Sequence, residues 1–185
     1  MKQRDLLPLL AVLLVLLEPS ARMNAETPPA RLVSETIDET RLVTLDGNVH
    51  PLAQARYDRG VVPDALPARR ILLLLNRPAA REEALEQFLR DVHRRGSTIY
   101  HRWITPEQFG RQFGPADEDI ETAVRWLEAK GFSVGRISKS KQFIEFSGGA
   151  GQLRDAFHSE IHEYQVKGER HYANASEISH RQHWR

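Results

Sequence analysis

His158 and His162 lie four residues apart, the spacing of two metal ligands on one helical turn. The second of them falls where an alternating, strand-like pattern begins, and no third ligand is spaced nearby, so metal binding is not expected. The run Ser147-Gly148-Gly149-Ala150-Gly151 stands before a helical pattern, where free backbone amides can meet an anion. It lacks the Lys and the Ser/Thr of a phosphate loop, and it reads as a strand-to-helix turn with Ser147 near the cap. Glu82-Glu83 and Asp117-Glu118-Asp119 are grouped carboxylates in first helical turns, where they favour the positive helix end. They read as solvated helix starts, not as general acids. No serine sits in the strained, glycine-flanked setting that an activated nucleophile needs. The absence of cysteine removes disulfides, thiol catalysis and thiolate metal sites together. Neither catalysis nor a cofactor is expected of this chain.

The elements that would position these residues begin at Arg70. Ile71 to Leu75 is a continuous apolar run and reads as a buried central strand. Behind Pro78, Leu85, Phe88, Leu89 and Val92 form one stripe of a helix over about Arg81 to Arg94, which Gly96 ends. Thr105, Pro106 and Glu107 supply a cap, a first helical residue and a favourable charge for a short helix carrying Phe109 and Phe113. A further helix over about Asp119 to Lys130 turns Ile120, Ala123, Val124 and Leu127 inward. Phe132 to Ile137 and the strand holding Ile144 and Phe146 make a hairpin. A helix with Leu153, Ala156 and Phe157 and a strand over about Glu160 to Val166 complete the order.

Strand, helices, strand, strand, helix, strand is the ferredoxin-like, split β-α-β plan of an α+β fold. It predicts an antiparallel sheet with helices on one face. The other face must be wet or must meet a partner. Residues 26–69, with Pro28, Pro29, Pro51, Pro63 and Pro67, read as an extended arm in which Arg41 to Leu45 is one strand-like stretch. The domain is placed at 70–172 and a tail at 173–185.

Lys2 and Arg4 precede an apolar run from Leu6 to Leu17, which Glu18, Pro19 and Ser20 break. The run is short for a membrane span and fits a signal peptide over residues 1–25, with an uncleaved anchor as the other reading. Export to a periplasmic or extracellular space follows, with membrane contact only through that segment. The 26 basic and 25 acidic residues nearly cancel and are scattered, so no nucleic-acid partner is expected.

The segment Tyr100-His101-Arg102-Trp103-Ile104-Thr105-Pro106-Glu107-Gln108-Phe109, followed by Phe113-Gly114-Pro115, resembles the signature of kumamolisin-type (sedolisin) activation domains. Trp126-Leu127, Gly131-Phe132-Ser133-Val134, Ile144-Glu145-Phe146-Ser147-Gly148, Ala156-Phe157-His158-Ser159-Glu160-Ile161-His162 and His171-Tyr172-Ala173-Asn174 continue the likeness in order. Upstream, Gly47-Asn48-Val49-His50-Pro51-Leu52 resembles the leading arm. Gly149 stands where the family usually has Thr, and Ser159 where it usually has Thr.

The resemblance implies a propeptide that assists folding of a sedolisin-type catalytic domain and blocks its cleft until acid releases it. The Ser-Glu-Asp triad and the calcium site of such enzymes lie downstream of this segment. Here Arg181-Gln182-His183-Trp184-Arg185 stands in place of the family's junction, so the catalytic domain is expected to be absent from this chain. The residues expected to face the peptidase are Tyr100, His101, Trp103, Phe157, His158, His162, His171 and Asn174. Trp103 equally fits a plug between helix and sheet. The histidines fit either an acid-sensitive interface or plain solvated surface, since imidazole ordinarily titrates at about pH 6.5. A free-standing secreted ferredoxin-like binding or peptidase-inhibitor module is the rival reading.

Overall fold

Ile144 and Phe146 alternate along the chain with Phe143, Glu145 and Ser147, so an extended backbone turns Ile144 and Phe146 to the same side. That side is the core. In a computed structural model describing residues 30–32 and 42–181, Ile144 is 0% and Phe146 1% exposed. Their strand is central to a sheet ordered β3-β5-β4, made of β3 (Pro67–Leu74), β4 (Ser133–Ile137) and β5 (Phe143–Gly149). Pairing is antiparallel throughout, with Ile71 opposite Phe146 and Val134 opposite Phe146.

The helices are α1 (Ala79–His93), α2 (Pro106–Phe113), α3 (Asp117–Ala129) and α4 (Ala150–Phe157). From α3, Ile120, Ala123, Trp126 and Leu127 pack on Phe132, Ile144, Phe146 and Ala156. The rings of Phe132 and Phe146 meet edge to face at 5.0 Å, and Phe157 closes on Trp126 at 5.6 Å. The short helix α2 forms through the expected cap: Thr105 Oγ1 accepts from Gln108 N at 3.2 Å, and Gln108 Oε1 accepts from Thr105 N at 2.7 Å. Helix α2 lies against α1, with Phe113 tilted on Phe88 at 5.4 Å.

The connectivity β3, helices, β4, β5, α4, β6 (Ile161–Val166) is the split β-α-β plan, and the class is α+β. The strands do not close into one sheet. Strand β6 lies between β2 (Asp58–Val61) and β7 (Glu169–Asn174) in a second sheet. A ribbon pairs β1 (Leu42–Leu45) with β8 (Ile178–Arg181). Within the stretch read as an arm, residues 58–61 thus form a sheet strand, and Val62 is 6% exposed. The signal segment 1–25, residues 26–29 and 33–41 of the arm, and residues 182–185 of the tail lie outside the described residues.

One strand corrects the sequence reading. The apolar run Ile71 to Leu75 is not a buried central strand: β3 is an edge strand of its sheet, and Leu72 and Leu74 are 49% and 72% exposed. Continuous apolarity implies burial of both faces only when something covers both. Here Ile71, Leu73 and Leu75 pack on the core, while the alternate positions face away from it.

The two faces of this sheet differ in what their side chains stabilise. Phe146→Ala should cost about 3–5 kcal/mol by urea unfolding. Leu74→Ala, on the open face, should change stability by less than about 0.5 kcal/mol.

Candidate interaction site

After α1 the chain turns back on itself and gathers aromatic rings. His101 takes a left-handed conformation, φ 56, and its amide donates to Val92 O at 2.9 Å, closing the turn on the helix end. Tyr100 and His101 stack at 3.9 Å, His101 and Trp103 at 5.9 Å, and His93 meets Trp103 edge-on at 5.4 Å. Trp103 stays 66% exposed inside this cluster. It does not plug a gap between helix and sheet. An exposed indole braced by two imidazole rings presents a large apolar area with few rotors to freeze, the property of interface anchors.

A second apolar surface is the open face of the β3-β5-β4 sheet. It carries Leu72 and Leu74. Glu145, paired with Leu72 across the ladder, lies 3.8 Å from Arg70 and 3.9 Å from Arg136. Leucines held beside a short charged row make a surface with both apolar and polar complementarity.

The remaining expected contacts separate. Phe157 packs against the core, within 6.1 Å of Phe146 and 6.2 Å of Phe132. His158 caps α4 in the left-handed region, φ 54, and is exposed. His171 is exposed on β7, 3.8 Å from Glu169, and Asn174 donates from Nδ2 to Ser176 O at 2.8 Å. None of these joins the Trp103 cluster.

His162 is different again. Its Nδ1 lies 2.8 Å from Asp58 Oδ2 and 3.0 Å from Oδ1, and Nε2 lies 3.5 Å from Glu160 Oε2. Asp58 also accepts from Gly60 N at 2.7 Å. The Gly60 amide, and after it the His162 imidazole, hold the Asp58 carboxyl below its usual range. This latch fixes β2 to β6 at a bulge between Asp58 and Val61. No spacing signal joins positions this far apart in sequence, and only the fold reveals Asp58.

The first amides at the glycine-rich start of α4 are taken. Ala150 N donates to Leu66 O, Gly151 N to Asp64 O, and Gly149 N to Gln152 Oε1. Arg154 holds the Asp64 carboxylate by two bonds, at 2.5 and 3.2 Å, and keeps its pKa low. A Cβ on Gly151 would stand 2.9 Å from Asp64 Cβ, so glycine is required for this close approach. The acidic start of α3 is likewise only partly solvated: Asp119 is 6% exposed and accepts from Leu32 N at 2.8 Å. Glu107 does more than favour a helix end. Lys139 pairs with it at 2.7 Å and pulls its pKa down to about 2.

A sheet with helices packed on one face and an exposed, braced indole offer surfaces for binding another protein. Residues 58–180 match the family model of the pro-kumamolisin activation domain, and the chain belongs to that family. It is 28% identical over 157 residues to xanthomonalisin of Xanthomonas sp. (strain T-22), covering 81% of this chain and 18% of that protein. It is 29% identical over 97 residues to sedolisin of Pseudomonas sp. (strain 101), covering 52% of this chain and 16% of that protein. The chain thus spans under a fifth of the length of these relatives.

The Asp58 latch has a signed pH dependence. A carboxyl whose folded pKa lies below its unfolded value adds stability above about pH 4, and that stability is lost as pH falls through the folded value. Asp58→Asn should therefore unfold at lower urea than the parent at pH 6 and converge toward it in strong acid. Parallel urea midpoints across that range would show that the latch carries no linked proton.

Proposed function

We propose that this chain is the propeptide of a secreted sedolisin-type serine peptidase, a non-catalytic domain that assists the enzyme's folding and inhibits it until acidification. The observation that carries the reading is the activation-domain match running through a fold whose sheet leaves Leu72 and Leu74 uncovered. A larger folded body shields such a face in the zymogen. Binding only the folded enzyme stabilises that state by mass action, which is how a propeptide assists folding.

Two surfaces would meet the catalytic domain: the open sheet face and the Trp103 cluster. Tyr100, His101 and Trp103 act as one patch, with His93 as a fourth member absent from the sequence expectation. His171 and Asn174 would contribute from the chain after Val166, which leads toward the cleft, and His158 from the end of α4. Imidazole gains a proton as solutions turn acidic, and a charged ring against a buried contact weakens it. The calcium and the catalytic triad belong to the enzyme, and the first 25 residues serve export. Among the described residues no helix is long and apolar enough to cross a membrane.

The test is inhibition in trans. The purified chain, added to a mature sedolisin-type peptidase, should slow peptide hydrolysis, and more strongly as pH rises from the enzyme's acid range. Trp103→Ala should weaken inhibition about tenfold or more while leaving the urea midpoint unchanged, as expected for an exposed anchor. No slowing by the parent chain at any pH where the enzyme turns over would end the reading.

A further inference from the structure

The two three-stranded sheets stand apart, and the register shows which backbone groups line the gap. Leu75 N donates to Gln142 O, in the same register that sets Leu73 against Ile144 and Ile71 against Phe146. In an antiparallel ladder bonded and non-bonded pairs alternate. Leu72 and Leu74 therefore occupy non-bonded positions toward β5, and their N–H and C=O groups turn to the other edge of β3. That edge has no strand partner among the described residues.

The same alternation holds on β7. Lys167 and Gly168, both at positive φ (52 and 86), form the two-residue turn that pairs Val166 with Glu169. Ala175 N donates to Glu160 O, continuing that register. Bonded pairs toward β6 thus fall at Glu169, His171 and Ala173, and the backbone groups of Arg170, Tyr172 and Asn174 turn outward. Strand β7 has no second strand partner among the described residues either.

Between β3 and β7 runs a cavity of about 690 Å³. Residues of both strands line it, together with Leu153 and Phe157 of α4. Leu72, Leu74 and Tyr172 remain exposed to solvent. Arg69, also in the lining, has no ion partner among the described residues.

We infer that this slot takes an extended peptide strand from a partner chain, which pairs with an open edge and covers the apolar lining. Two outward-facing rows of amides and carbonyls flank an apolar gap, the arrangement that strand addition exploits. The chemistry specifies the occupant. Apolar side chains in alternation face Leu153 and Phe157, and a carboxylate lies at the Arg69 end. The length of β3, eight residues from Pro67 to Leu74, sets the extent of pairing. The strand would share Leu72 and Leu74 with the open face proposed above to meet the catalytic domain, lies apart from the Trp103 cluster, and need not come from a peptidase.

The probe is a blocked heptapeptide of alternating valine and threonine ending in aspartate, titrated into the full chain. Binding should slow amide exchange at Leu72 and Leu74 about tenfold or more, since strand pairing with β3 withdraws these groups from water. The same peptide with alternate N-methyl amides should bind about tenfold more weakly, because it keeps the side chains and loses the ladder. Leu72→Pro, which deletes an outward N–H and none of the β3–β5 bonds, should weaken binding similarly while Ile71 and Leu73 stay protected. Absence of binding by the parent peptide would overturn the inference. So would equal binding of the N-methylated peptide. Full protection of Leu72 and Leu74 in the unliganded chain would overturn it too, by showing that the chain's own residues already fill the edge. Peptide binding and amide protection are read with no peptidase present, so their failure is told apart from a failure of inhibition.

Discussion

Among the described residues strand β3 is paired on one side only, and the rest of the architecture follows from that. The core beneath it is dense: Ile144, Phe146 and Leu127 are essentially sealed, and α3 and α4 bring aromatic rings onto the central strand. Hydrogen bonding stops at β3, where the sheet ends. The chain that follows α4 pairs with β2 and β7 instead. A domain of this size therefore keeps two sheets where a single larger one would have absorbed its own edges.

That division distributes apolar surface unevenly. Buried side chains concentrate under β5, whereas leucines at alternate β3 positions face solvent. In a free-standing protein such exposure weakens solubility and invites association. In a module that spends its functional life against another protein it is the contact surface itself. The Trp103 cluster obeys the same logic on a smaller scale. Its ring is held by neighbours, not buried by them, so it is ordered before any partner arrives. Ordering in advance reduces the entropy lost on association.

Much of this was legible in the residues. Thr105 and Gln108 announced a capped helix by type and spacing, and the cap forms. The alternation around Ile144 and Phe146 announced a strand with one buried side, and it holds. The run at Ile71 to Leu75 misled, because five apolar residues in a row do not reveal whether a second layer exists to cover them. The contact between Asp58 and His162 was invisible for another reason: it joins positions 104 residues apart, and only the pairing of β2 with β6 brings them together. Trp103 lay between the two outcomes. Its type marked it as either filler or anchor, and only its exposure decides.

The loop from Val62 to Leu66 leaves the sheet of β2 and enters the sheet of β3, while α4 leaves β5 and leads into β6. Arg154 on that helix grips Asp64 on that loop, and Gly151 brings the two backbones close enough to bond. Both crossings between the halves are thus riveted at one point. The Arg154–Asp64 contact thus clamps the two halves beside α4, a clasp that, among the described residues, the far end of β3 lacks.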